Sequence, residues 1–351
     1  MKYYQFLLLC LLFIQIINAH GIHHHDDEEE GEEHDHEHEE DEEQYAAWVT
    51  ILGIVGIIAC SFIGTILPVI YSKKSIFKES SLFFSCVKLF GTGVILSTAF
   101  IHMIIPSDQI LTSEYTNKLF NEKYTSFAGV FAILGIVITH VVQVYTIKQY
   151  LETDLSNPEN VYHEKNSKTI SIADVDGCVE EQHGILHLME NKEKQTISYL
   201  LEIGISLHSI LIGIAFGMTR DKELIVLMVA LMFHQFFEGI SLSSVFVEAH
   251  FKHAISIIVM IITYSCTLPI GGIIGLLIRS SVESTNSAYL TIQGIIDAVA
   301  GGILVYDDTV NILSRHCNSD RFKASSLGRK NIQLICFYLG ILTLAIIGIW
   351  A

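Results

Sequence analysis

Residues 232–243 read MFHQFFEGISLS, and they set an imidazole, a carboxamide and a carboxylate inside a run that is otherwise soluble in lipid. An ionisable group at the centre of a bilayer costs roughly 2.5 to 3.5 kcal/mol on insertion scales, so it needs a partner, a cavity or a cargo. His234 and Glu238 stand four apart and lie about 40° from each other around a helix axis, with Gln235 about 100° from His234. The three share one broad face, and that face offers imidazole nitrogen and carboxylate oxygen to a single ion.

The flanking sequence has the same apolar character for most of its length. Half of the 351 residues are apolar and only 17 % are charged. Eight long apolar segments account for this, at 46–71, 82–106, 125–147, 197–219, 224–247, 253–279, 288–313 and 330–350. Most reach the roughly 20 residues that a helix needs to cross hydrocarbon. The expected fold class is an all-α integral membrane protein with eight transmembrane helices. A polar stretch at 148–196 divides them in chain order into a 3+5 arrangement, with helices one to three in 45–147 and helices four to eight in 197–351.

Residues 1–19 read as a signal peptide, with Lys2 ahead of a short apolar core and Ala19 at a cleavage point. With the chain then starting outside, the four loops on the cytoplasmic side hold 14 of the 21 Lys and Arg residues, and the outer loops hold five. That bias follows the positive-inside rule and places both ends of the membrane body away from the cytoplasm.

The net charge of −17 is mostly local, because residues 20–43 carry 14 of the 38 carboxylates and seven of the 17 histidines. With no basic patch large enough to neutralise many phosphates, a nucleic-acid partner is not expected. The tail itself, HGIHHHDDEEEGEEHDHEHEEDEE, has no apolar face to pack. Residues 20–44 are therefore expected to form a disordered extracytoplasmic tail rich in His, Asp and Glu, able to hold divalent cations loosely. The 148–196 stretch, with His163, His183 and His187, reads as a variable cytosolic loop. None of the seven cysteines forms a CxxC pair, so neither a disulfide framework nor a thiolate zinc site is indicated.

Other helices carry polar groups as well. Helix four offers Glu202, His208 and Ser209, helix two offers Ser97, Thr98 and His102, and helix seven offers Asp297 and Asp308. Asp297 and Asp308 share a helix face but lie about 16 Å apart along it, too far for one ion, so they mark two stages or two mouths of a path. A lone membrane histidine is more often a hydrogen bonder between helices than a ligand, but a concentration of such residues in two helices favours metal passage. The candidate metal-contacting residues are His208, His234, Glu238, Ser209, Gln235, Glu202, His102 and Asp308. HExxH, GxSxG, GxGxxG and GxxxxGK[ST] are all missing from the sequence, so no enzyme is expected and transport would be driven by gradients.

The stretches LHSILIGIAFG (207–217) and FHQFFEGISLSS (233–244), together with GTGVILSTAFIHMIIPS (91–107), resemble the signatures of the ZIP family of zinc and iron transporters. The resemblance covers essentially all of 45–351. It implies a secondary transporter that brings Zn2+, and in some members Fe2+ or Mn2+, into the cytoplasm. By the same resemblance His208, His234 and Glu238 are the principal transport-site ligands, Ser209 and Gln235 occupy adjacent pathway positions, and His102 is an entry ligand. Zn2+ is then the cargo, no resident cofactor is implied, and the family is compatible with a homodimer in the plasma membrane or an endomembrane.

Three departures bear on this expectation. Ile212 stands where some relatives have a metal-bridging glutamate, and Gln235 replaces an aspartate found in others, so one main site is expected instead of a bridged pair. Asp308 and Asn311 depart from the usual helix-seven pattern and relocate a charge along the route. Because imidazole binds metal only when neutral, mild acid should reduce metal capture. The alternative reading is a membrane zinc receptor or regulator that binds the metal without moving it.

Overall fold

The computed structural model describes residues 35–72, 81–155, 176–219, 224–251, 253–279 and 286–349, so the signal segment and residues 20–34 of the tail lie outside the described residues. The chain divides into an N-terminal unit, 1–44, and a compact unit, 45–351. Among the described residues eight helices are long and apolar enough to cross a membrane. They are α1 (Asp35–Tyr71, apolar over Ala47–Tyr71), α2 (Leu82–Leu111), α3 (Phe127–Leu155, apolar over Phe127–Tyr145) and α4 (Asp176–Met218, apolar over Asn191–Met218). They continue with α5 (Leu224–Glu248), α6 (Ala254–Ile278), α7 (Ser287–Asn318) and α8 (Leu327–Ile347). Helix is the outcome that hydrocarbon demands of a single span, because every backbone N–H and C=O must be satisfied within the segment.

Two segments differ from their sequence expectation. Residues 35–44, expected to be disordered, are helical and belong to α1. They are rich in glutamate, a good helix former, and they extend an existing helix without a nucleation cost. The 148–196 segment, expected to be loop, is helical at both ends, with α3 continuing to Leu155 and α4 starting at Asp176. The same extension logic applies. Residues 156–175 of that expected loop lie outside the described residues.

Packing sorts the helices differently from chain order. α1 meets α5, where a side chain on Gly64 would reach the Phe236 carbonyl. α2 meets α8 through Gly93 and Gly340, α3 meets α7 through Gly135 and Gly302, and α4 meets α6 through Gly213 and Gly271. At each of these three crossings a Cβ on either glycine would strike the partner's backbone carbonyl, so the helices touch backbone to backbone. Ile54, Ile57, Phe216, Leu231 and Leu268 form an apolar cluster that joins α1, α4, α5 and α6. A larger cluster, including Ile95, Leu201, Phe246, Tyr264 and Leu304, lies where α4, α5 and α6 meet α2 and α7. The result is two groups of four, {α1, α4, α5, α6} and {α2, α3, α7, α8}. The expected 3+5 division describes chain order only, because the position of a long connection does not determine which helix faces meet.

Two of the spans are not α-helical throughout. α2 widens to a π-helix at Thr98–Ile104 and α7 does so at Asp307–Ser314. In α2 the cause is legible: Pro106 has no N–H to return to the carbonyl of His102, four residues earlier. Ser81 caps α2 by accepting from the Phe84 N–H, and Asn286 caps α7 by accepting from the Ala288 and Tyr289 N–H groups. The lipid-facing requirement shows on α3, whose Val130, Ile133, Leu134, Val137 and Ile138 are exposed large apolar side chains. The molecule is thus a multi-pass membrane protein.

Candidate metal site

His234 and Glu238 project from α5 into the seam between the two helix groups, and both are buried. His234 Nε2 lies 3.1 Å from Glu238 Oε1, yet the pair is not aligned as a hydrogen bond. Both ring nitrogens of His234 and both carboxylate oxygens of Glu238 are buried without any hydrogen-bond partner. Buried polar atoms are normally satisfied, and leaving one unpaired costs on the order of 1 to 3 kcal/mol. Four such atoms on one helical turn mark a place shaped for a ligand.

Two more imidazoles converge on His234. From α4, the His208 ring centroid lies 6.1 Å from that of His234, and from α2, His102 lies 5.0 Å away. Each is held by a partner that fixes its tautomer. His208 Nδ1 is 3.0 Å from Asp297 Oδ1 on α7, a carboxylate that can only accept, so Nδ1 carries the proton and Nε2 presents its lone pair. That Nε2 is buried and unpartnered. His102 Nε2 donates to the Leu344 carbonyl of α8 at 3.1 Å, which leaves the lone pair on Nδ1.

The remaining expected residues separate. Ser209 and Gln235 are buried behind the imidazoles, where the Ser209 hydroxyl donates to Gln235 Oε1 at 3.5 Å and Gln235 Nε2 donates to the Ser61 hydroxyl at 3.4 Å. Tyr264 of α6 donates to the Gln235 carbonyl at 2.7 Å and ties α5 to its own group. Glu202 does not join the imidazoles. It lines a groove of about 440 Å3 between α4 and α6 with Tyr199, Ser206, Ser256 and Thr263, and its Oε1 is buried and unpartnered there. Asp308 is also apart, in the π segment of α7 beside Asp307 and Asn311, with both its carboxylate oxygens buried and unpartnered. In that second cluster Asn311 donates to Asp307 at 2.6 Å and Gln143 of α3 donates to Asn311 at 2.9 Å.

The sequence marked Asp297 only as one end of a path, while the structure makes it the group that orients His208. The local chemistry is neutral imidazole nitrogen plus carboxylate oxygen, a donor set that suits Zn2+ and, with less selectivity, Fe2+ or Mn2+. Among the described residues no three His, Cys, Asp or Glu side chains already form a closed metal cage.

Comparison with known proteins agrees with this chemistry. The family described as ZIP Zinc transporter matches residues 45–348. Among curated relatives, Zinc transporter 3 of Oryza sativa subsp. japonica is 28 % identical over 88 % of this chain and 90 % of its own length. Zinc transporter 9 of the same organism is 32 % identical over 78 % of this chain and 80 % of its own. Fe(2+) transport protein 2 of Arabidopsis thaliana is 28 % identical over 86 % and 87 %.

Proposed function

Because the chain belongs to the ZIP zinc transporter family, we propose that it is a secondary transporter that carries Zn2+, with Fe2+ or Mn2+ as competing cargo, across its membrane toward the cytoplasm. The observation that carries this reading is the set of buried, unpartnered donor atoms on His208, His234 and Glu238. These three residues belong to one helix group, while His102 and the orienting Asp297 belong to the other. An ion bound to α4 and α5 can thus be met by His102 on one side and released when the groups shift against each other, which is the alternating-access logic of secondary transporters. The donors must replace the ion's water yet let it go, and a site that adjusts on binding suits that demand better than a closed cage. The inward direction is what the resemblance to the ZIP family implies, while the positive-inside rule says only which ends of the helices face the cytoplasm.

Zinc entry into proteoliposomes containing the intact protein, beside H234A and E238A, tests the proposal, with iron and manganese as competitors. Entry that is lost in both variants supports transport through α5. Zinc binding without entry under any imposed gradient would move the receptor reading ahead.

A further inference from the structure

We propose that Thr98 of α2 sets which divalent cation the α4–α5 site favours, by holding one oxygen of Glu238 across the seam so that the carboxylate meets an ion through the other. The proposal rests on the transport-site reading given above and names a residue that decides its selectivity. Thr98 is fully buried, and its Oγ1 has no hydrogen-bond partner. Buried threonines elsewhere in the spans use that atom locally. The hydroxyls of Thr65, Thr92, Thr139 and Thr267 return to a carbonyl of their own helix three or four residues back, at 2.8 to 3.0 Å. Thr98 instead turns its hydroxyl towards the Glu238 carboxylate of α5, short of the alignment of a full hydrogen bond.

The register of α2 against α5 places the same two residues together. A Cβ on Gly91 would meet Ser241, and the His102 ring lies 5.0 Å from that of His234, so the two helices run past each other in opposite directions. Thr98 falls between those contacts, opposite the turn that carries Glu238. It also opens the π segment of α2, a helix form found frequently at functional positions. On the other side of the carboxylate, Glu238 Oε1 lies 3.1 Å from His234 Nε2. A Thr98 proton donated to Oε2 leaves Oε1 beside the imidazoles as a single oxygen donor. One oxygen among imidazole nitrogens suits four-coordinate Zn2+, whereas Mn2+ favours six-fold, oxygen-rich surroundings and gains from a carboxylate that offers both oxygens. Engaging the second oxygen therefore costs Mn2+ more than it costs zinc.

The full-length protein is reconstituted as wild type, T98V, T98S and H234A, and zinc binding and zinc entry are both measured against increasing Mn2+. T98V keeps the shape of the side chain and loses the hydroxyl; T98S keeps the hydroxyl and loses the methyl group. T98V should lower the ratio of Mn2+ to zinc needed for half-displacement by about tenfold, as expected for one lost hydrogen bond to a charged group, and T98S should stay within about twofold of wild type. Wild-type discrimination in T98V overturns the proposal. So does a loss in T98S as large as that in T98V, which would assign the effect to methyl packing. Neither result touches the transport reading, which stands or falls on entry in the wild type and its loss in H234A. Zinc binding without entry in the wild type would remove that reading, and the Thr98 comparison is then decided on binding alone, with the same expected ratio. If T98V does not reconstitute, T98S and T98A differ by the same oxygen and are compared in its place.

Discussion

α7 carries a buried carboxylate toward each of two polar clusters, and they are handled in opposite ways. At one, Asp297 is bonded to His208 and serves an imidazole that faces His234 and Glu238. At the other, Asp308 has no hydrogen-bond partner and sits beside Asp307, whose Oδ2 is also unpartnered. The first cluster mixes imidazole nitrogen with carboxylate; the second has carboxylate and amide at its centre, with the Arg315 guanidinium reached through Gln143 and Glu193. On the transport reading proposed above, the first would select an ion and the second only ease a charge along, since borderline metals discriminate for nitrogen while oxygen donors accept most divalent cations.

Substitutions can break or sharpen that contrast. E238Q keeps the side-chain shape but removes the anionic oxygen, and zinc uptake should fall to background in a proteoliposome assay while the protein still reconstitutes. D297N should act next most strongly. An amide can donate to His208 Nδ1 and reverse its tautomer, so zinc half-saturation should rise by about 10- to 100-fold, as for other partners of metal-bound histidine. Uptake with wild-type half-saturation in D297N would mean that the Asp297 bond has no bearing on metal capture.

D308N should lower maximal flux several-fold and leave half-saturation where it was, because Asp308 lies away from the imidazoles. If instead it weakened zinc binding as much as D297N, the two clusters would act as one site. The smallest effect is expected of E202Q. Glu202 faces the α4–α6 groove, so half-saturation should stay within about twofold of wild type, as distant sites act independently.

Much of this was legible in the sequence. The eight spans follow from apolar run length, and the agreement of 224–247 with α5 or 253–279 with α6 is within a residue at each end. His234 and Glu238 were readable because both sit on one helix, where the four-residue spacing alone fixes their relation. The bond from His208 to Asp297 was not, since it depends on how α4 and α7 slide and rotate against each other across 89 residues of chain. Glu202 was grouped with the site although six residues put it about 120° around α4 from His208, a separation that helix geometry already contained. The pairing of helices could not be read from the glycines alone; small residues inside apolar runs, such as Gly213 and Gly271, say that backbones approach, not which ones.

The glycine crossings set where this molecule can yield. A pair such as α2 with α8, or α3 with α7, meets main chain to main chain and has no layer of side chains to rearrange, so each pair behaves as a single stiff strut. Across the seam between the struts α2 also approaches the α5 backbone, at Gly91 and Ser241, but elsewhere along it stand side chains that can rotate, the imidazoles among them. Compliance and chemistry thus coincide in space, and on the proposed reading a small wedge lodged in that seam would stall transport without touching His208, His234 or Glu238.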